Sequence, residues 1–455
     1  MKFSVISFIL VSAMTSPGVE LGQLAGQWSL AEFTSPTSLR ESYYNPETMV
    51  TRILEDSSGV AGENEILVDA FYPQPSATGT RIFEISNSGA VTGEEVGQAV
   101  SLRNNRLLYT AGGEGQTLFA NPAGNLLLTS KGEPDLQSLT LCMKVPEAFA
   151  ISELAGAWHL ITMITPNDLS TTGNLSDVYF SGESSLASGE INVAANGQFS
   201  GPFSGTLTPA GTGKVLVTTE AGSLEFRVSE GKDVLTATPG GEADEEFIIL
   251  VKKPAALETA DLRGSWRIAQ FRVPSTLTEV FWNPDTGQSR QAESSGVAQA
   301  GEVLVDLFHA DDFRLQQGQI EVTSSGAFTG LASGTLTANA DQSITITVPD
   351  SPALTFYGNL DHSLMVGSIN ESDSHELIFL LKTASDPYET FDEAVDLGTL
   401  LTPGNLVFTW SGGNGLVLEE SDGLGTWSAV EGTEGDNDYA VPTTGKVRFF
   451  RISGP

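Results

Sequence analysis

Apolar and polar residues alternate with a period of two along much of this chain. The runs Gln319-Ile320-Glu321-Val322-Thr323 and Ser343-Ile344-Thr345-Ile346-Thr347-Val348 keep that period without a break. Alternation of this kind puts one face of a strand in a core and the other in water. Glycine, asparagine, proline and aspartate stand between such runs at hairpin spacing, where they supply the backbone conformations that turns require. No stretch keeps a helical period. The pattern predicts short antiparallel strands joined by tight connections.

The strands come in units. Leu24-Ala25-Gly26-Gln27-Trp28-Ser29-Leu30 recurs as Leu154-Ala155-Gly156-Ala157-Trp158-His159-Leu160 and again as Leu262-Arg263-Gly264-Ser265-Trp266-Arg267-Ile268. A glycine two places before a tryptophan, found three times, marks a domain in tandem. Each copy is followed by similar strands, by a glycine-bounded segment read as a turn (89–93, 197–201 and 326–330), and by an apolar run closing at Lys144, Lys252 or Lys382. Counting on from Trp266 gives roughly eight strands. The unpaired edges of such a meander disappear if the sheet closes on itself. The predicted fold is all-β, with three tandem antiparallel meander barrels and a small C-terminal β-sandwich. The boundaries are 1–18 for a signal peptide, 19–148, 149–256 and 257–384 for the repeats, 385–396 for an acidic linker, and 397–455 for the last module.

The Gly-x-Trp opening, the Gly-x-Phe-x-Gly segment and the meander resemble lipocalin and avidin-like β-barrels. The resemblance implies that Trp28, Trp158 and Trp266 close the barrel floors, and that a cavity lies above them. The polar residues by which avidins hold biotin have no counterpart here. In the last module, the pattern Ser421…Leu424…Trp427…Val430 and the ending Phe449-Phe450-Arg451 look like the fibronectin type III-like modules of exported proteins of aquatic bacteria. That likeness implies display or assembly outside the cell and no chemistry.

Charge and cysteine content narrow the function classes. The chain has 455 residues, 57 acids against 22 bases, and a net charge of −35. Such a surface repels phosphate backbones and anionic lipid, which argues against nucleic-acid binding. Lys2 followed by the apolar run 3–14 reads as a secretory signal. No other stretch nears the ~18 apolar residues of a membrane-spanning helix. The expected location is therefore secreted or cell-surface. Cys142 is the sole cysteine, so no internal disulfide forms, and its apolar surroundings predict a buried, inert thiol. Export without disulfides points to a bacterium.

Candidate chemistry is sparse. The chain has no Gly-x-Ser-x-Gly elbow and no phosphate-binding glycine loop with its lysine. Its four histidines lack metal-ligand spacing, and no cofactor is expected. Calcium is conceivable only at acid-rich segments such as 242–246 and 434–438, which read more simply as solvated turns.

The best candidate surface is a loop shared by repeats one and three and shortened in repeat two. Tyr43, Tyr44, Asn45 and Glu47 match Phe281, Trp282, Asn283 and Asp285, and Asp69 matches Asp306 in the strand beyond. Aromatic rings beside an amide and a carboxylate can stack on a sugar or anchor a protein. The plainer alternative is that they cap the barrel mouth, with Asn-Pro setting a turn. The leading function is an exported, non-catalytic binding or surface-assembly protein with a glycan or cell-surface partner, its four loop aromatics exposed. A carbohydrate-active enzyme or accessory subunit would need two carboxylates facing each other at ~5–10 Å. A small-molecule carrier would need an open cavity of at least ~300 Å³.

Overall fold

The computed structural model describes residues 19–385, apart from 55–60, 103–104, 112–113, 134, 173–176 and 294–296, and six short strands between 398 and 453. Residues 1–18, expected to be a signal peptide, and nearly all of 385–396, expected to be an acidic linker, lie outside the described residues.

Each Gly-x-Trp unit opens a closed eight-stranded antiparallel barrel. In barrel 1 the opening strand Gly26–Pro36 pairs with Leu136–Lys144 on one side and with Ala77–Ile85 on the other, which seals the ring. Gly156–Pro166 does the same with Asp244–Lys252 and Ser185–Val193 in barrel 2. Gly264–Pro274 repeats it with Ser374–Ala384 and Arg314–Val322 in barrel 3. Closure leaves no strand edge in need of a partner.

The tryptophans do form the floors. Trp28, Trp158 and Trp266 are fully buried, and each indole Nε1 donates to the carbonyl four residues earlier, at Leu24, Leu154 or Leu262, at 2.8 Å. That carbonyl ends a short helical turn left open at its C-terminus. The lysine closing each repeat also donates to a carbonyl of that turn: Lys144 to Gln23, Lys252 to Glu153 and Lys382 to Asp261. The three glycine-bounded segments carry a correction. Each is a pair of turns around a short strand, Ala90–Gly93, Gln198–Ser200 or Ala327–Gly330. Glycine is required at the first turn, where φ is +83° to +85° and a Cβ would meet the carbonyl oxygen of Ala99, Leu207 or Leu336 at 2.1–2.5 Å.

The barrels are not separate beads. Each has its own interior, but a fourth core lies between them, made from residues facing outward from each barrel. Phe33, Met163 and Phe271, each five residues after its tryptophan, meet there. The ring centroids of Phe33 and Phe271 are 5.0 Å apart. Polar contacts run around this core in one sense. Asn121 of barrel 1 donates to Ser363 Oγ of barrel 3, and the equivalent Asn359 of barrel 3 donates to Asp233 of barrel 2. The Glu230 amide of barrel 2 then donates to the Lys144 carbonyl of barrel 1. The arrangement is cyclic, with one chain taking the place of three subunits.

Cys142 is buried in barrel 1 and its thiol pKa is raised, chiefly by burial. Maleimide is expected to leave it unlabelled in the native protein and to label it once in concentrated guanidinium, as read by intact mass. Rapid native labelling would show that this wall opens. The C-terminal strands form two three-stranded antiparallel sheets, Gly398–Thr402 with Asn405–Thr409 and Asp438–Pro442, and Ser428–Ala429 with Val417–Ser421 and Phe449–Ser453.

Candidate functional site

The segment read as a loop in repeats one and three is a small sheet, set between the first and second strands of its barrel. In repeat one, Arg40–Asn45 lies between Val50–Leu54 and Ile66–Phe71. In repeat three, Leu277–Asn283 lies between Gln288–Glu293 and Val303–His309. Repeat two keeps only the pair Leu169–Thr171 and Val178–Phe180.

Successive residues of a strand face opposite ways, so Tyr43 and Tyr44 cannot share a face, nor can Phe281 and Trp282. The expected exposure of all four is corrected accordingly. Tyr43 and Phe281 are fully buried, Tyr44 is half-buried, and Trp282 is 38% exposed. The buried ring of each pair is covered by a guanidinium, Arg52 at 5.0 Å from the Tyr43 centroid and Arg290 at 4.6 Å from that of Phe281. Glu65 and Glu302 hold those arginines and accept a backbone N–H at Gly62 and Gln299. The Arg-Glu clamps have no local sequence signal, because each arginine lies in one edge strand and its glutamate just before the other, 13 or 12 residues on.

Asn45 and Asn283 act as turn-formers. Asn45 Oδ1 accepts the amides of Glu47 and Thr48, and Asn283 Oδ1 those of Asp285 and Thr286, all at 3.0–3.2 Å. The Glu47 carboxylate accepts Asn64 Nδ2 at 3.1 Å. Asp69 is exposed whereas its counterpart Asp306 is buried, so the two do not form matched sites.

The difference arises where the sheets meet. The edge strand Val303–His309 lies against the buried face of the repeat-one sheet, where Tyr43 Oη and the Ala61 amide donate to the Val305 carbonyl. The Leu307 amide donates at 2.8 Å to Glu41 Oε1, a carboxyl with no exposure. Glu279, at the position in repeat three equivalent to Glu41, accepts the Val178 amide of repeat two at 2.7 Å. Each glutamate thus satisfies a strand edge that would otherwise be buried unpaired. Repeat two has Thr171 at this position, and Asp69, on the strand that would complete the ring, stays in solvent. Burial, then the Asp306 carboxylate, raises the Glu41 pKa to about 8. At the centre, Tyr72, Phe180 and His309 come from the three repeats, with Tyr72 Oη 3.0 Å from His309 Nε2. Burial lowers the His309 pKa to about 3. The pair Glu41 and Glu279, two places before each ring, was the available sequence signal.

The outer faces are different in kind. Tyr44, Thr51 and Ile66 form one cross-strand row with Ile53 beside it, and Trp282, Ser289 and Val303 form its counterpart. Of the twelve large hydrophobic residues exposed among the described residues, eight lie on or beside these two sheets: Met49, Val50, Ile53, Ile66, Val68, Trp282, Val297 and Val303.

Two barrels also hold cavities. The one in barrel 1, about 270 Å³, is polar, and two of its carboxylates, Glu32 and Glu95, are tied to the single guanidinium of Arg81. The one in barrel 2, about 460 Å³, is mainly apolar. Among the described residues no group of three or more His, Cys, Asp or Glu side chains gathers to hold a metal ion. The acidic segment 242–246 runs into the barrel strand Asp244–Lys252, correcting its reading as a turn, and Glu245 accepts the Thr78 amide of barrel 1. Of 434–438, only Asp438 falls within the described residues.

No family model matches the chain. No curated protein matches it either. Among solved structures it is similar to transferrin binding protein B of serogroup B Neisseria meningitidis, with 11% identity and TM-score 0.20 over 77% of this chain and 78% of that one. A double mutant of transferrin binding protein B from Haemophilus parasuis Hp5 matches at 9% identity and TM-score 0.21, over 79% and 77% of the two chains. At these values the likeness carries no argument about what this chain binds.

Proposed function

We propose that this is an exported, non-catalytic binding protein that engages a macromolecular partner through the outer faces of the repeat-one and repeat-three side sheets. The observation that carries this reading is the concentration of exposed aliphatic side chains on these two sheets, since clustered apolar surface marks an interaction site. Exposed acids, among them Glu47, Asp69, Asp285 and Glu293, stand on the same two sheets and their turns. The complementary partner is a protein surface with an apolar centre and a basic rim, in the pattern common to protein interfaces. A glycan is the weaker fit, because sugars stack on flat rings and two of the four rings are buried. The fixed side sheets hold the patch on a rigid frame, which lowers the ordering cost of binding.

The test is attachment of the purified mature protein to intact cells of its source. Ile53→Asp, Ile66→Asp and Val303→Asp, combined, are expected to cut attachment by about tenfold or more. The melting temperature should stay nearly unchanged, because these side chains already face water. Undiminished attachment by the triple variant would sink the reading.

A further inference from the structure

Barrels 2 and 3 share a design but differ at one mouth. In barrel 3, Glu376 faces inward near the end of its strand and is held by Arg272 Nε at 2.9 Å and Gln270 Nε2 at 2.5 Å. The register of the opening strands makes Glu246 the counterpart of Glu376, Ile164 that of Arg272, and Thr162 that of Gln270. Barrel 2 therefore keeps the acid but lacks both the guanidinium that neutralises it and the amide that donates to it. Among the described residues no cation pairs with Glu246. Burial, then Asp244, raises its pKa, as befits a carboxylate short of solvation. Thr162 and Ile164 are also shorter than Gln270 and Arg272, and Val215 and Val217 stand where barrel 3 has Ile344 and Ile346.

The result is the cavity of about 460 Å³, lined by Phe199, Leu207, Val217, Leu224 and Ile248, with Glu246 on its wall and Phe203 exposed beside it. Its size lies within the ~300–1,000 Å³ typical of small-molecule sites. We propose that barrel 2 binds an apolar amine, a molecule whose hydrocarbon body fills this cavity and whose single ammonium group takes, at Glu246, the role of the Arg272 guanidinium in barrel 3. A fatty carboxylate would place a second negative charge against Glu246, and a neutral alcohol would gain only a hydrogen bond. The net charge of −35 favours a cation on approach as well. This site is independent of the side-sheet surface.

Isothermal titration calorimetry of the full chain with dodecylamine, dodecanol and dodecanoate, each below its micelle concentration, tests the assignment. One dodecylamine is expected to bind per chain, about tenfold or more tighter than dodecanoate. Glu246→Gln should bring the amine down to the level of the alcohol without removing alcohol binding. Transplanting the barrel-3 arrangement by Thr162→Gln with Ile164→Arg should weaken amine binding about tenfold, and Val217→Phe should weaken all three ligands by filling the cavity. Circular dichroism and melting of each variant report whether it folds. The proposal is overturned if wild type binds none of the three, if dodecanoate binds as well as the amine, or if the amine preference survives in a folded Glu246→Gln protein.

Discussion

Phe33→Ala is expected to destabilise the whole three-barrel body by about 3–5 kcal/mol, the range for truncating a large buried ring. Phe33 belongs to barrel 1 but points out of it, against Phe271 of barrel 3 and Phe247 of barrel 2. If the barrels were independent, its loss would touch barrel 1 alone and unfolding would split into separate transitions. With a shared core, one cooperative transition shifts as a unit. Phe271→Ala should cost a similar amount. The double variant should show a coupling of about 0.5–1.5 kcal/mol for rings in this contact. Calorimetry of the four proteins reads both quantities, and a wild-type profile with three resolved peaks would refute the shared core.

The second large effect concerns pH. Glu41 titrates near 4.5 when unfolded and near 8 when folded. Its raised folded value means that its contribution to stability is fully present below pH 4.5 and is lost as pH rises through 8. Asp306, raised by burial, works in the same direction. Glu41→Gln keeps an oxygen for the Leu307 amide and removes the ionisation. Relative to wild type, the variant should therefore gain about 2 kcal/mol between pH 5 and pH 9, less than the full shift because relaxation and water entry soften it. His309 has the opposite sign: burial depresses its pKa, so its contribution is present above pH 6.5 and declines as pH falls toward 3. Chemical denaturation at several pH values separates the two. Parallel pH profiles for wild type and Glu41→Gln would refute the assignment to Glu41.

The barrels were legible because their determinants are local and repeated: the Gly-x-Trp opening, the closing lysine, the alternation between them. The shared core has no repeated local motif, yet it leaves a trace. Phe247-Ile248-Ile249-Leu250-Val251 and Leu377-Ile378-Phe379-Leu380-Leu381 are continuous apolar runs, the mark of strands buried on both faces. An isolated barrel wall would have alternated.

The kinship of segments 43–48 and 281–286 was legible in the sequence, but the way their side chains face was not. Adjacent aromatics on a strand must point opposite ways, which the loop reading of 43–48 and 281–286 concealed. The inter-repeat contacts of Glu41, Glu279 and His309 depend on how the repeats dock around one another, a relation no single segment encodes.

Joining three barrels in one polypeptide has a lasting effect. In a homotrimer of one short chain, any change that hollowed an interior or removed a neutralising arginine would appear three times around the ring, and all three interiors would drift together. Here each has gone its own way, one lined by an acid–arginine cluster, one hollow beside an unneutralised acid, and one with that acid neutralised, while the wall they share keeps the set aligned.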